Sequence, residues 1–131
     1  MPQKEFNFSN LQGDYFGQTP PGNIPEVFAP NLISSKGRLY SLPTLSPDYN
    51  ELYWQILRPK IMLTKRITGE WTTAQAASFS NTAYNQAPFI ANDNTIYFAS
   101  SREVGKGSMD IWYITKMENT INQYFYLNPL T

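Results

Sequence analysis

The chain contains neither cysteine nor histidine. The first absence removes disulfides, thiolate metal sites and a cysteine nucleophile. The second removes the imidazole on which serine and cysteine triads, most catalytic zinc sites and most proton shuttles at neutral pH depend. An excess of one charge is missing too, since ten basic side chains balance ten acidic ones and the two signs are interspersed. Without such a footprint for phosphate backbones or acidic lipids, neither nucleic acid nor a membrane is expected as a partner. No run approaches the roughly 18 apolar residues that a membrane span requires. The opening segment MPQKEFNFSNLQGDYFGQ lacks the basic-then-apolar pattern of a secretory signal. As written, the sequence therefore reads as cytoplasmic, with a periplasmic location the alternative if a signal has been removed. Helical periodicity is not evident anywhere.

The 131 residues, 41% hydrophobic and 15% aromatic, suffice for the core of one domain. Residues 1–26 carry Gly13, Gly17, Pro20, Pro21, Gly22 and Pro25, which favour turn and polyproline geometry over periodic structure, so this stretch reads as an ordered arm. An apolar run at 27–33 is interrupted by Pro30, which restricts it to an edge strand. From Leu39 onward, short β-rich segments alternate with turn residues.

The strongest feature is an internal repeat. LPTLSPDYNELYWQ aligns with APFIANDNTIYFA once Asn50 is dropped, matching Pro43 with Pro88, Asp48 with Asp93, Leu52 with Ile96, Tyr53 with Tyr97 and Trp54 with Phe98. KIMLTKR aligns with DIWYITK, after a longer glycine-containing loop in the second copy. The spacing of about 45–50 residues is that of propeller blades among repeat classes. Each copy reads as four strands, near 39–45, 51–57, 60–66 and 71–78, then near 86–91, 95–100, 109–116 and 121–127. The units are thus an arm at 1–26, an edge strand and first blade at 27–80, and a second blade with a C-terminal strand at 81–131.

A strand with one wet face alternates apolar and polar residues, whereas one covered on both faces reads as nearly continuous apolar sequence. Leu52, Trp54 and Ile56 take one face of their strand and Tyr53 the other; in Ile111-Trp112-Tyr113-Ile114 both faces are large and apolar. Sheets stacked as blades cover both faces, but two alone leave one face each without a partner. Self-association or another chain is expected to supply the cover, because each large side chain left wet forgoes roughly 1.5–3 kcal/mol.

SPDYNELYW and NDNTIYFASSREVGKGSMDIWYITK resemble the TolB-type, WD-repeat-like β-propeller repeat over residues 11–118 or so. The resemblance implies an all-β partial propeller: two four-stranded antiparallel blades with an N-terminal arm and edge strand. It also implies structural roles for Ser46, Pro47 and Asp48 in the first repeat's turn and for Arg102, Asp110, Ile111 and Trp112 in the later half, while the internal repeat sets Asp93 in the place of Asp48 in the second turn. Tyr49 stands where the family favours glycine, Ala91-Asn92 replaces Ser-Pro, and Lys60 replaces the aspartate supplied by Asp110. Such a likeness speaks to fold and leaves function open.

Arg102 and Asp110 are expected to pair as an ion pair fixing a blade turn, the alternative being a ligand anchor. The 101–108 loop lacks the spacing and following helix of a phosphate loop and reads as a plain connection. Most of the aromatics are expected in the core. Tyr53, Trp54, Trp71, Tyr97, Tyr113, Tyr124 and Tyr126 are nonetheless the candidates for a ligand or interface, Trp71 foremost for an interface. No catalytic residue, metal or cofactor is indicated. The expected function is a non-enzymatic binding or assembly module that associates with copies of itself or a partner protein, with 27–34 and 122–127 as pairing edges. The rival readings are a carboxylate-dependent glycan-acting enzyme and a degenerate propeller remnant in a larger assembly.

Overall fold

The computed structural model describes residues 13, 15–29, 43–57, 60–80, 83–103, 105, 107–116 and 124–126. Among them there is no helix; the strands are β1 (Thr44–Leu45), β2 (Glu51–Ile56), β3 (Lys60–Ile67), β4 (Glu70–Trp71), β5 (Gln75–Ala76), β6 (Asn85–Ile90), β7 (Ile96–Ser100), β8 (Asp110–Lys116) and β9 (Tyr124–Tyr126). They form two antiparallel sheets. The first runs β1-β2-β3-β4, with β5 also on β3; the second runs β6-β7-β8-β9. Neither closes on itself. The fourth position of the first sheet is split, because β4 pairs the C-terminal end of β3 and β5 its N-terminal end.

The turns follow from local chemistry. At the β1–β2 turn, Ser46 Oγ donates to Asp48 Oδ1 at 2.6 Å, and the same oxygen accepts the Asn50 amide at 3.0 Å. At the β6–β7 turn, Asp93 Oδ1 accepts the Thr95 amide at 2.9 Å. That amide, and then the Thr95 hydroxyl, hold the Asp93 carboxyl below the ordinary carboxylate range. Each turn contains a residue in the left-handed region at the matching repeat position, Tyr49 at φ 59° and Asn94 at φ 66°. Asparagine tolerates that conformation, and a large aromatic residue is strained by it. Tyr49→Asn is therefore expected to stabilise the protein by about 1 kcal/mol, read as a melting temperature raised by a few degrees; an unchanged or lower value would refute the strain.

β6 begins the second sheet with a bulge: its register to β7 shifts between Gln86 and Phe89, and Ala87 there has φ 53°. Pro88 lies inside the bulge, in an edge strand that tolerates the missing amide. The bulge turns the Ala87 amide onto Gln55 Oε1 of the first sheet at 2.9 Å, while the Ile90 amide meets Thr44 Oγ1 at 3.2 Å. The sheets thereby pack face to face, and the intervening core joins Tyr53, Ile61, Leu63, Ala77 and Phe79 of the first to Ile90, Ile96, Phe98, Trp112 and Ile114 of the second.

The opposite face of the first sheet is not left bare. Leu52, Trp54 and Trp71 are buried there together with Phe16 and Ala29, and Phe28 packs on the same cluster. Of the run expected to form an edge strand, residues 27–29 are not in strand conformation and thus continue the arm, because Gln18 takes up their backbone groups: its Nε2 donates to Val27 O at 2.9 Å and its Oε1 accepts the Ala29 amide at 2.7 Å. Residues 30–34 of that expected edge lie outside the described residues.

Candidate functional site

Strand alternation gives each sheet two faces, and the repeat makes them comparable. In the first sheet, Leu52, Trp54 and Met62 look toward the arm, while Tyr53, Ile61 and Leu63 look toward the second sheet. In the second sheet their repeat counterparts divide the same way. Ile96, Phe98 and Trp112 look toward the first sheet. Tyr97, Ile111 and Tyr113 alternate with them and look outward, away from that core.

This outward surface is built by register. Cross-strand partners fall into two rows, Gln86-Ala99-Ile111 and Phe89-Tyr97-Tyr113. Within the second row the Tyr97 and Tyr113 rings stack with centroids 5.9 Å apart. Phe89 is 59% exposed and Ile111 48%, and none of the six side chains is charged. The face is uncharged and dominated by aromatic and aliphatic side chains carried on three paired strands.

No family model, curated protein or solved structure matches the chain.

The expected site residues distribute as follows. Tyr53 and Trp54 are fully buried, on opposite faces of the first sheet, so neither is open to a ligand; the Tyr53 hydroxyl donates to Glu51 Oε2 at 3.2 Å. Trp71 does serve an interface, but an internal one: Phe16 of the arm stacks on it at 4.3 Å, and its Nε1 donates to Gly13 O at 3.1 Å. Tyr97 and Tyr113 alone of the described candidates reach the open face. Tyr124 and Tyr126 lie in β9, paired through their backbones with Lys116 and Ile114; their side chains lie outside the described residues. Ser46, Pro47, Asp48 and Asp93 sit in the two turns.

Arg102 and Asp110, expected to pair, have different hydrogen-bond partners among the described residues. Asp110 accepts the Gly107 amide on both oxygens, at 3.2 and 3.0 Å, and a Cβ at Gly105 would collide with its Oδ2. The loop glycines thus let the backbone wrap this carboxylate. Arg102 turns the other way, into the junction between the sheets. Its Nη2 donates to Phe79 O at 2.8 Å and Asn85 Oδ1 at 2.9 Å, and its Nε to Ser100 Oγ at 3.0 Å. Its guanidinium lies over Phe98 and Trp112, 5.0 and 5.3 Å from the ring centroids. Trp112 Nε1 is buried without a hydrogen-bond partner, a cost that the ring's packing has to outweigh.

Two features of the site lie beyond the aromatics singled out in the sequence. Phe89 and Ile111 are the most exposed members of the open face; Ile111 was marked by its repeat match to Ile61, but only the stacking order shows that one is covered and the other is not. The arm also encloses a cleft of about 380 Å³ between Tyr15, Pro21, Ile24, Val27 and Phe28. Gln18, which lines it too, has both ends of its amide engaged with the arm's own backbone.

Proposed function

We propose that this chain is an assembly module, a propeller-like stack of two blade-like sheets that joins copies of itself through the open face of the second sheet. The observation that supports it is the repeat correspondence: Tyr97, Ile111 and Tyr113 stand where Tyr53, Ile61 and Leu63 stand in the first copy, and those residues receive a whole sheet. A surface shaped by the same pattern is suited to the same kind of partner. Burying its large side chains is worth roughly 1.5–3 kcal/mol each, against the several kcal/mol that association costs in lost freedom.

Light scattering across a concentration series tests this. The native chain should show mass above the monomer that rises with concentration. The double variant Ile111→Lys, Tyr113→Lys should remain a monomer, since two charges would be desolvated at the contact, while its melting temperature changes little because the substituted face is open. A native chain that stays monomeric throughout the series would end the proposal.

A further inference from the structure

We infer that the N-terminal arm is a displaceable cap, seated on the surface of the first sheet to which the open face of a second copy's second sheet docks once the arm lifts. The inference rests on the assembly reading above and adds its partner surface and its control. Among the described residues, the sheets meet in one way: the Tyr53, Ile61, Leu63 side of one takes the Ile96, Phe98, Trp112 side of the next. The open face is of the first kind. Its complement is therefore a face of the second kind, and the remaining one is Leu52, Trp54 and Met62, which the arm covers. Repeating the internal contact between copies gives a head-to-tail stack. A face-to-face pairing of two open surfaces has no counterpart in the molecule.

The arm's hold has the character of a cover that comes off. Among the described residues it makes no strand pairing with the first sheet. Among the same residues, Phe16 stacks on Trp71, Phe28 lies edge-on to Phe16 at 5.7 Å, and Trp71 Nε1 donates to Gly13 O. Two of its anchoring residues are strained where they dock, Phe16 at φ 54° and Ala29 at φ 44°. Such left-handed backbone in non-glycine residues is relieved when a segment lifts off. A second copy's sheet would bring strand-borne side chains without that strain. The two occupants compete for one surface, so the apparent stacking affinity equals the intrinsic affinity scaled by the fraction of molecules with the arm off.

Full-length variants test the cap. Phe16→Asp with Phe28→Asp removes the arm's anchors, and Gln18→Ala loosens its clip without touching the sheet; the second guards against a failure of the first to fold. Both should stack at concentrations at least tenfold lower than the native chain, giving a broad series of masses as open head-to-tail contacts do. Adding Ile111→Lys to either should return it to the monomer. If the native chain associates and the arm variants associate no better, the cap is refuted while the assembly reading survives. If the arm variants associate but Ile111→Lys does not reverse it, the exposed Trp54 surface is merely sticky and the cap is refuted. If the native chain stays monomeric throughout, the assembly reading falls, and the cap that rests on it falls with it.

Discussion

Phe79→Ala is expected to remove a large share of the protein's stability. Phe79 is fully buried where the chain leaves β5, and its ring lies 4.8 Å from Phe98 of the second sheet and 6.1 Å from Tyr53 of the first. It therefore plugs the junction between the layers, and neither sheet can close the gap by moving alone. Truncating a buried phenylalanine costs about 3–5 kcal/mol, the lost transfer energy plus the cavity left behind. Domains of this size have about 5–15 kcal/mol in all, so the loss takes at least about a fifth of the total and, in a marginal domain, nearly all of it. In thermal unfolding followed by circular dichroism, the midpoint should fall by about 10 °C or more, or the cooperative transition should vanish. Phe89→Ala, on the open face, removes the same ring where no cavity forms and should shift the midpoint by only a degree or two. Equal effects at the two positions would mean that the sheets do not pack through Phe79.

The contrast between those phenylalanines also measures how much was legible in the sequence. The strands and turns were, because alternation, proline, aspartate and asparagine act over a few residues; the expected segments at 51–57, 60–66 and 95–100 overlie β2, β3 and β7. The two-sided apolar strands also announced stacked sheets. Which face would stay open was not legible, since it depends on the cover supplied by the arm. Phe16 and Phe28 lie in a glycine- and proline-rich stretch with no periodicity, and the arm's hydrogen bond to Trp71 spans 58 positions. Such a contact leaves no local signature. Arg102 and Asp110 illustrate the same limit in charged residues. Opposite signs near each other in the chain suggest a pair, but Asp110 is short enough to be satisfied by its own loop, and the acceptors that draw Arg102 away exist only once the sheets have met.

Arg102→Met is the second large loss expected, and it separates charge from packing. The methionine keeps an unbranched apolar stem against Phe98 and Trp112 but offers no donor, which deprives Asn85 Oδ1, in a residue with no exposed surface, and Phe79 O of the guanidinium. Hydrogen bonds to charged groups are worth about 1.5–3 kcal/mol, and the substitution ends those to Phe79 O, Asn85 Oδ1 and Ser100 Oγ together. A net loss of about 2–4 kcal/mol should follow, measured as a lower denaturation midpoint with an unchanged slope. Arg102→Lys should recover only part of it. One ammonium cannot reproduce the fork that reaches Phe79 O, Asn85 Oδ1 and Ser100 Oγ together. If lysine restored the full stability, a positive charge alone would suffice at the junction and the fork geometry would be irrelevant. If methionine were as stable as arginine, packing alone would hold the sheets, and the hydrogen bonds would only fix how one sheet is set against the other. The arrangement of acceptors predicts the order arginine, then lysine, then methionine.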